Sequence, residues 1–194
     1  MNYQVELDNI ISKLDYKPKL LLHSCCAPCS SYCITYLKDN FDITILYYNP
    51  NIEPFEEYNK RKEEQIKLCN IFGINVMDCD YDNLEYHKVV EGLEQEKEGG
   101  CRCFKCYELR LKKTASLALN YDYFGTTLTV SPYKNSKKIN EIGLSLEKQY
   151  GIKYLVSDFK KKEGYKKSIE LSKEYDLYRQ NFCGCIYSKK ESEL

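Results

Sequence analysis

Three short cysteine groups, far apart in an otherwise ordinary sequence, constrain this chain more than anything else in it: Cys25-Cys26-Ala27-Pro28-Cys29, Cys101-Arg102-Cys103-Phe104-Lys105-Cys106 and Cys183-Gly184-Cys185. Eleven cysteines in an oxidising compartment would suggest a disulfide scaffold, but such scaffolds are small domains that cannot build a core. With 194 residues, 43% of them hydrophobic, this chain builds its own. Closely spaced thiols in a reducing compartment hold a metal or cluster, or exchange electrons. The chain therefore reads as a metalloprotein or a redox enzyme.

Length and the absence of a linker predict one domain over residues 1–194. Residues 1–19 lack a cationic start followed by an apolar stretch, and no run is apolar enough for a membrane span, so a cytoplasmic protein without a membrane partner is expected. The formal net charge of +0 gives no bulk attraction to nucleic acid. Lys134, Lys137, Lys138, Lys160 to Lys162, Lys166 and Lys167 are nevertheless available for a local basic face. The 19 tyrosines are spread along the chain and read as half-buried packing residues rather than base-stacking platforms.

Apolar runs alternate with helical patterns. Strands are predicted at Lys19–His23, Asp42–Tyr48, Ile74–Met77, Tyr123–Leu128 and Lys153–Val156. Between them, Pro28 suits a first helical turn, Glu53–Phe72 is amphipathic, Leu84–Tyr121 is helical with a break at Gly99-Gly100 and a new helix from about Phe104, and a further helix follows from Asn135 to Tyr150. Strands separated by helices need crossovers, so the expected class is α/β: a three-layer, Rossmann-like parallel sheet with helices on both faces, similar to the adenine nucleotide alpha hydrolase-like folds. Such sheets bind ligands beyond the carboxyl ends of their strands. The first cysteine group follows strand one and Ser131-Pro132-Tyr133-Lys134-Asn135 follows strand four, so both fall on that face.

Cys25 and Cys26 leave the strand in a loop where both sulfurs can turn to one centre, and Cys103 with Cys106 forms a Cys-x-x-Cys at a helix start, where the helix N-terminus favours negative charge. Four thiolates from these two segments suit a structural zinc site or an iron–sulfur cluster, and spacing does not choose. Cys29 is open to a ligand or a packing role, Cys33 lies deeper and packs, Cys69 and Cys79 read as inert, and Cys101 as a spare thiol. Cys183-Gly184-Cys185 would close a very small disulfide ring that is easily reduced, which suits electron relay, with metal ligation as the competing reading. His87 is expected on the surface; His23 either hydrogen-bonds a ligand sulfur or packs at the strand end.

With these groups in place, the chain resembles the QueH-type epoxyqueuosine reductase family nearly end to end. The likeness runs through Leu22-His23-Ser24-Cys25-Cys26-Ala27-Pro28-Cys29-Ser30, Tyr48-Asn49-Pro50-Asn51-Ile52-Glu53-Pro54, Arg102-Cys103, Cys106-Tyr107-Glu108-Leu109-Arg110-Leu111, Thr126-Thr127-Leu128, Ser131-Pro132-Tyr133-Lys134-Asn135, Tyr178-Arg179-Gln180 and Cys183-Gly184-Cys185. The resemblance implies removal of the epoxide oxygen of epoxyqueuosine at the wobble position of a tRNA with a GUN anticodon, giving queuosine, with electrons from a donor it does not identify. It implies Cys25, Cys26, Cys103 and Cys106 as [4Fe-4S] ligands, Cys183 and Cys185 as a redox-active disulfide, and Cys29 as a ligand of a second, mononuclear iron. Lys134, Arg179, Lys160 and Lys161 are candidate phosphate contacts by charge. Two rivals stand beside this reading. One is a structural zinc module on a nucleotide-binding fold; the other is an ATP-using sulfur transferase, whose glycine-rich phosphate loop has no counterpart in Ser24-Cys25-Cys26-Ala27-Pro28-Cys29.

Overall fold

The computed structural model describes residues 2–192. Three consecutive leucines in the first strand organise it. In β1 (Lys19–His23) the side chains alternate, so Leu20 and Leu22 enter one core while Leu21 enters the other. A strand apolar on both faces has to be covered on both, and β1 lies at the centre of a parallel sheet ordered β3-β2-β1-β4-β5. β1 pairs with β2 (Asp42–Leu46) on one side and β4 (Tyr123–Thr126) on the other. The edges are short: β3 (Asn75–Met77) has three residues and β5 (Lys153–Tyr154) has two.

On one face lie α2 (Ala27–Leu37), α3 (Phe55–Phe72) and α7 (Gly164–Glu174), closing a core of Leu20, Leu22, Ile34, Leu37, Ile45, Leu68 and Phe159. On the other, α5 (Cys101–Leu117) and α6 (Ser136–Tyr150) pack on Leu21, Leu46, Phe124 and Leu128. The expected three-layer α/β architecture is the one observed. α1 (Tyr3–Ile11), capped by the Asn2 side chain, and the short α4 (Asn83–Val90) and α8 (Ile186–Ser192) complete the described helices.

Several boundaries differ from the sequence expectation. β2 ends at Leu46, after which Tyr47 packs with Ile52 and Tyr58 and Tyr48 joins the core beneath Cys25 and Cys26; β4 gives way to a 3-10 turn at Leu128–Val130. β5 stops at Tyr154, after which the Asn140 side chain takes up both the N–H and the C=O of Ser157. The helical reading from Leu84 fails after Val90. Residues 91–100 turn back over buried Arg102, which donates to the carbonyls of Glu94 at 3.1 Å and of Glu96. α5 then begins at Cys101 rather than Phe104, which puts Cys103 in its first turn. α1, α7 and α8 were not expected at all.

Candidate metal centre

The loop after β1 is fixed from below. Ser24 and Ser30 hydroxyls both donate to Gln65 Oε1 of α3, at 2.5 and 2.9 Å, and Asn49 Nδ2 donates to the Ser24 carbonyl at 2.8 Å. His23, fully buried, holds the strand end. Its Nε2–H donates to the Tyr48 carbonyl at 3.0 Å, which leaves Nδ1 to accept from the Thr126 hydroxyl at 3.0 Å. Burial first, then the nearby Arg110 charge, push His23 down to about 3, so it is a neutral packed histidine. The packing alternative for His23 is the one observed. His87 is partly exposed and pairs with Glu53 at 2.9 Å.

Above this base, α2 begins at Ala27 with Pro28 in its first turn, and Cys29 is carried back toward the two preceding cysteines. The sulfurs of Cys25, Cys26 and Cys29 all lie within 4.8 Å of one another. Cys25 Sγ is 3.8 Å from Cys26 Sγ and 3.6 Å from Thr127 Oγ1, which also accepts from the Cys25 N–H at 3.3 Å. Hydrogen bonds from the Cys26 and Cys29 thiols hold Cys25 well below the ordinary thiol range, and the same contacts push Cys26 and Cys29 up.

Cys103 and Cys106 sit on the first two turns of α5. Cys103 Sγ accepts from the Gly99 N–H at 3.2 Å; burial raises both thiols, Cys106 to about 12. They are not part of the close trio but face it across Arg110. The Arg110 guanidinium, almost wholly buried one turn beyond Cys106, is within electrostatic reach of one thiol from each group: Cys106, Cys183 and Cys25. Lys134, half-buried in the loop after β4, reaches Cys183, Cys25 and Cys29. Burial works against both cations, and the cysteine sulfurs beside them outweigh it. Neither has a carboxylate partner among the described residues, and Arg110 Nη2 is buried without a hydrogen bond. Two cations near the cysteine groups, without a carboxylate partner among the described residues, fit an anionic centre held by sulfur, and an all-sulfur donor set is that of soft metals and iron–sulfur clusters.

The third group closes the site from the C-terminal segment. Cys183 and Cys185 are both free thiols; Cys185 is buried against Tyr86, Val90 and Cys106, and burial pushes it up to about 11. Cys33 and Cys69 are core residues, as expected; Cys79 is half-buried and Cys101 exposed. Arg179 is exposed over the Tyr165 ring, with its Cζ 5.4 Å from the centroid. Lys160 Nζ donates to the Lys134 carbonyl at 3.1 Å, and Lys161 is exposed. Sequence reasoning missed Arg110 and Thr127. Arg110 carried a signal, since it lies four residues after Cys106 on the same helical face; Thr127 carried none.

The sequence model of the family described as Epoxyqueuosine reductase QueH matches residues 20–191. Relatives of that description include the proteins of Streptococcus pyogenes serotype M1, 44% identical over 95% of this chain and 76% of the relative, and Staphylococcus epidermidis, 42% identical over 97% and 84%. The Thermotoga maritima protein is 38% identical over 89% of this chain and 91% of its own. Among solved structures, the U34-tRNA thiolase NcsA from Methanococcus maripaludis, described with its [4Fe-4S] cluster, superposes with a TM-score of 0.58 at 13% identity, over 96% of this chain and 67% of its own. NMN synthetase from Francisella tularensis gives 0.52 at 14%, over 98% and 79%. At such identities the likeness shows the fold alone, a parallel sheet with helices on both faces.

Proposed function

The chain belongs to the epoxyqueuosine reductase QueH family and shares its reaction, and from that premise we propose how its thiols are divided between metal binding and electron transfer. Cys25, Cys26, Cys103 and Cys106 hold a [4Fe-4S] cluster, and Cys29 ligates a second iron. The observation that carries this reading is Arg110, a buried cation within electrostatic reach of a thiol from each of the three groups, with no carboxylate partner among the described residues. Zinc would suit the same sulfurs but has no redox chemistry, and the reaction needs electrons. The structural zinc alternative is therefore not favoured.

Conversion of an epoxide to an alkene breaks two C–O bonds, consumes two electrons and two protons, and releases the oxygen as water. When bound, a thiolate-held cluster supplies low-potential electrons, and an iron with an open position supplies a Lewis acid for oxygen. The protein's own groups do the rest. Cys183 and Cys185, in closing a disulfide, yield two electrons and two protons, the quantity one turnover consumes. Lys134 and Arg110 hold the thiolate charge of the centre in a site from which Thr126, Thr127 and His23 exclude water. The substrate is the epoxyqueuosine wobble base of a tRNA with a GUN anticodon; of the candidate phosphate contacts, exposed Arg179 remains, while Lys134 is given to the sulfur site. Among the described residues no helix is long and apolar enough to cross a membrane.

The test is anaerobic purification with iron, sulfide and zinc analysis, followed by conversion of epoxyqueuosine in tRNA. About four or more irons per chain with matching sulfide supports the assignment. A colourless protein with about one zinc overturns it.

A further inference from the structure

We propose that thiol–disulfide exchange at the third cysteine group runs in one direction: an incoming thiol attacks the sulfur of Cys183, and Cys185 is the sulfur that leaves. This rests on the reading of Cys183 and Cys185 as the redox pair and adds the order of events and the class of reductant.

The two cysteines are one residue apart but differ in surroundings. Cys183 is half-buried and Cys185 is 6% exposed, enclosed by Tyr86, Val90 and Cys106. A side chain cannot exchange these positions, because the backbone is clamped on each side of Cys183. Arg61 of α3, itself buried, donates from Nη1 to the Cys183 carbonyl at 3.0 Å and stacks over the Phe182 ring, its Cζ 4.9 Å from the centroid. Glu57 holds that guanidinium through Nε at 2.7 Å and also accepts from the Tyr178 hydroxyl. The Gly184 carbonyl accepts from the Glu53 N–H at 2.9 Å. One stripe of α3, residues 57, 61 and 64, therefore fixes the arm from Tyr178 to Gly184, with Glu64 taking the Tyr178 N–H at 2.8 Å.

Access decides which sulfur of a disulfide is attacked, and stabilisation of the departing sulfur decides how fast it goes. Cys185 Sγ accepts from the Ser188 N–H at 3.4 Å and packs against Tyr86. Burial slows the departure of this sulfur and the Ser188 N–H offsets that only in part, so access is what sets the direction. In the step, a donor thiolate forms a bond to Cys183 Sγ, the Cys183–Cys185 S–S bond breaks, and its electron pair goes to Cys185 Sγ, which takes up a proton. A second donor thiol then attacks the donor sulfur of the mixed disulfide. Cys183 is released as a thiol, so one protein disulfide is reduced and two donor thiols become a disulfide. The reductant class is a thiol or dithiol.

The experiment exposes the anaerobic holoenzyme to oxidised glutathione and locates adducts by intact mass and peptide mapping. Cys185→Ser is expected to take glutathione on Cys183 at least about tenfold faster than Cys183→Ser takes it on Cys185. Equal rates, or faster labelling of Cys185, overturn the direction. Should Cys183→Ser fail to fold, the oxidised wild-type enzyme is mixed with one equivalent of reduced glutathione and quenched in acid: the adduct belongs on Cys183, and an adduct on Cys185 overturns the proposal. Failure of the underlying reading is distinct, since wild type would then carry two separate adducts and never close an internal disulfide.

Discussion

Replacing Gly184 with alanine should release the third cysteine group from its seat without unfolding the rest of the chain. Gly184 has φ +120, a region that residues with a Cβ occupy only under strain, and a Cβ there would meet Arg61 Nη1 and Ile52 Cγ1, both at 2.9 Å. The backbone strain costs about 1–3 kcal/mol, and displacing Arg61 from its carbonyls adds about 1 kcal/mol for a lost hydrogen bond. Together these amount to about 2–4 kcal/mol, which at 1.4 kcal/mol per decade shifts the docked-to-undocked equilibrium roughly 30- to 700-fold. Because the arm is tied to α3 by separate polar contacts rather than by the sheet, the cost falls on local opening. Alkylation of Cys185 by iodoacetamide, read by peptide mapping at reagent concentrations where reclosing outpaces alkylation, should accelerate by that factor while the global melting midpoint moves little. A rate within about twofold of wild type would refute the argument that Gly184 is required by this packing.

Other perturbations probe the centre and the frame. Cys103→Ser should abolish cluster assembly and activity while the far-ultraviolet spectrum stays unchanged; normal iron content with full activity would remove Cys103 from the ligand set. Lys134→Met takes away the ammonium that Cys25, Cys29 and Cys183 face, so iron should pass to a chelator several-fold faster, measured as loss of visible absorbance. Asp8→Asn tests the tie between α1 and the rest of the molecule. Although burial opposes it, hydrogen bonds from Lys162, Tyr36 and Gln4 hold the Asp8 carboxyl below its ordinary value. A depressed carboxylate contributes stability above its unfolded pKa and loses it as pH falls through the folded one, so wild type should exceed the variant by about 0.5 kcal/mol at pH 7, with the gap closing below about pH 4. A gap that persists in acid would assign the effect to packing instead.

The central sheet was legible because β1 and β2 carry their signal in a few adjacent residues: Leu20, Leu21 and Leu22 can only be a strand covered twice. α7 was not, since Gly164–Glu174 has only two aliphatic residues among many charges and begins at a glycine; its placement depends on Gly164 packing where a Cβ would strike the Phe159 carbonyl and the Tyr32 ring. In the site, the close approach of Cys29 to Cys25 and Cys26 follows from a helix starting at Ala27, which Pro28 announced. Lys134 was legible only as a charge on the right face. That it turns inward to sulfur is a tertiary fact, set by the loop after β4 and invisible in local sequence. The anchoring of Cys183 by Arg61 is likewise a contact across more than a hundred residues.

The sheet is long at its centre and tapers to a three-residue β3 and a two-residue β5. Open backbone at a sheet margin is where a second chain adds a strand, and a margin this brief offers almost no template for it. On the proposed function, a thiol-rich protein that folds before it is loaded is exposed in that interval to self-association. In this molecule the waiting form presents reactive sulfur at one end of the sheet and hardly any free strand at its sides, so colloidal losses of the unloaded protein should proceed through intermolecular disulfides, which a reductant reverses, and not through fibrillar stacking.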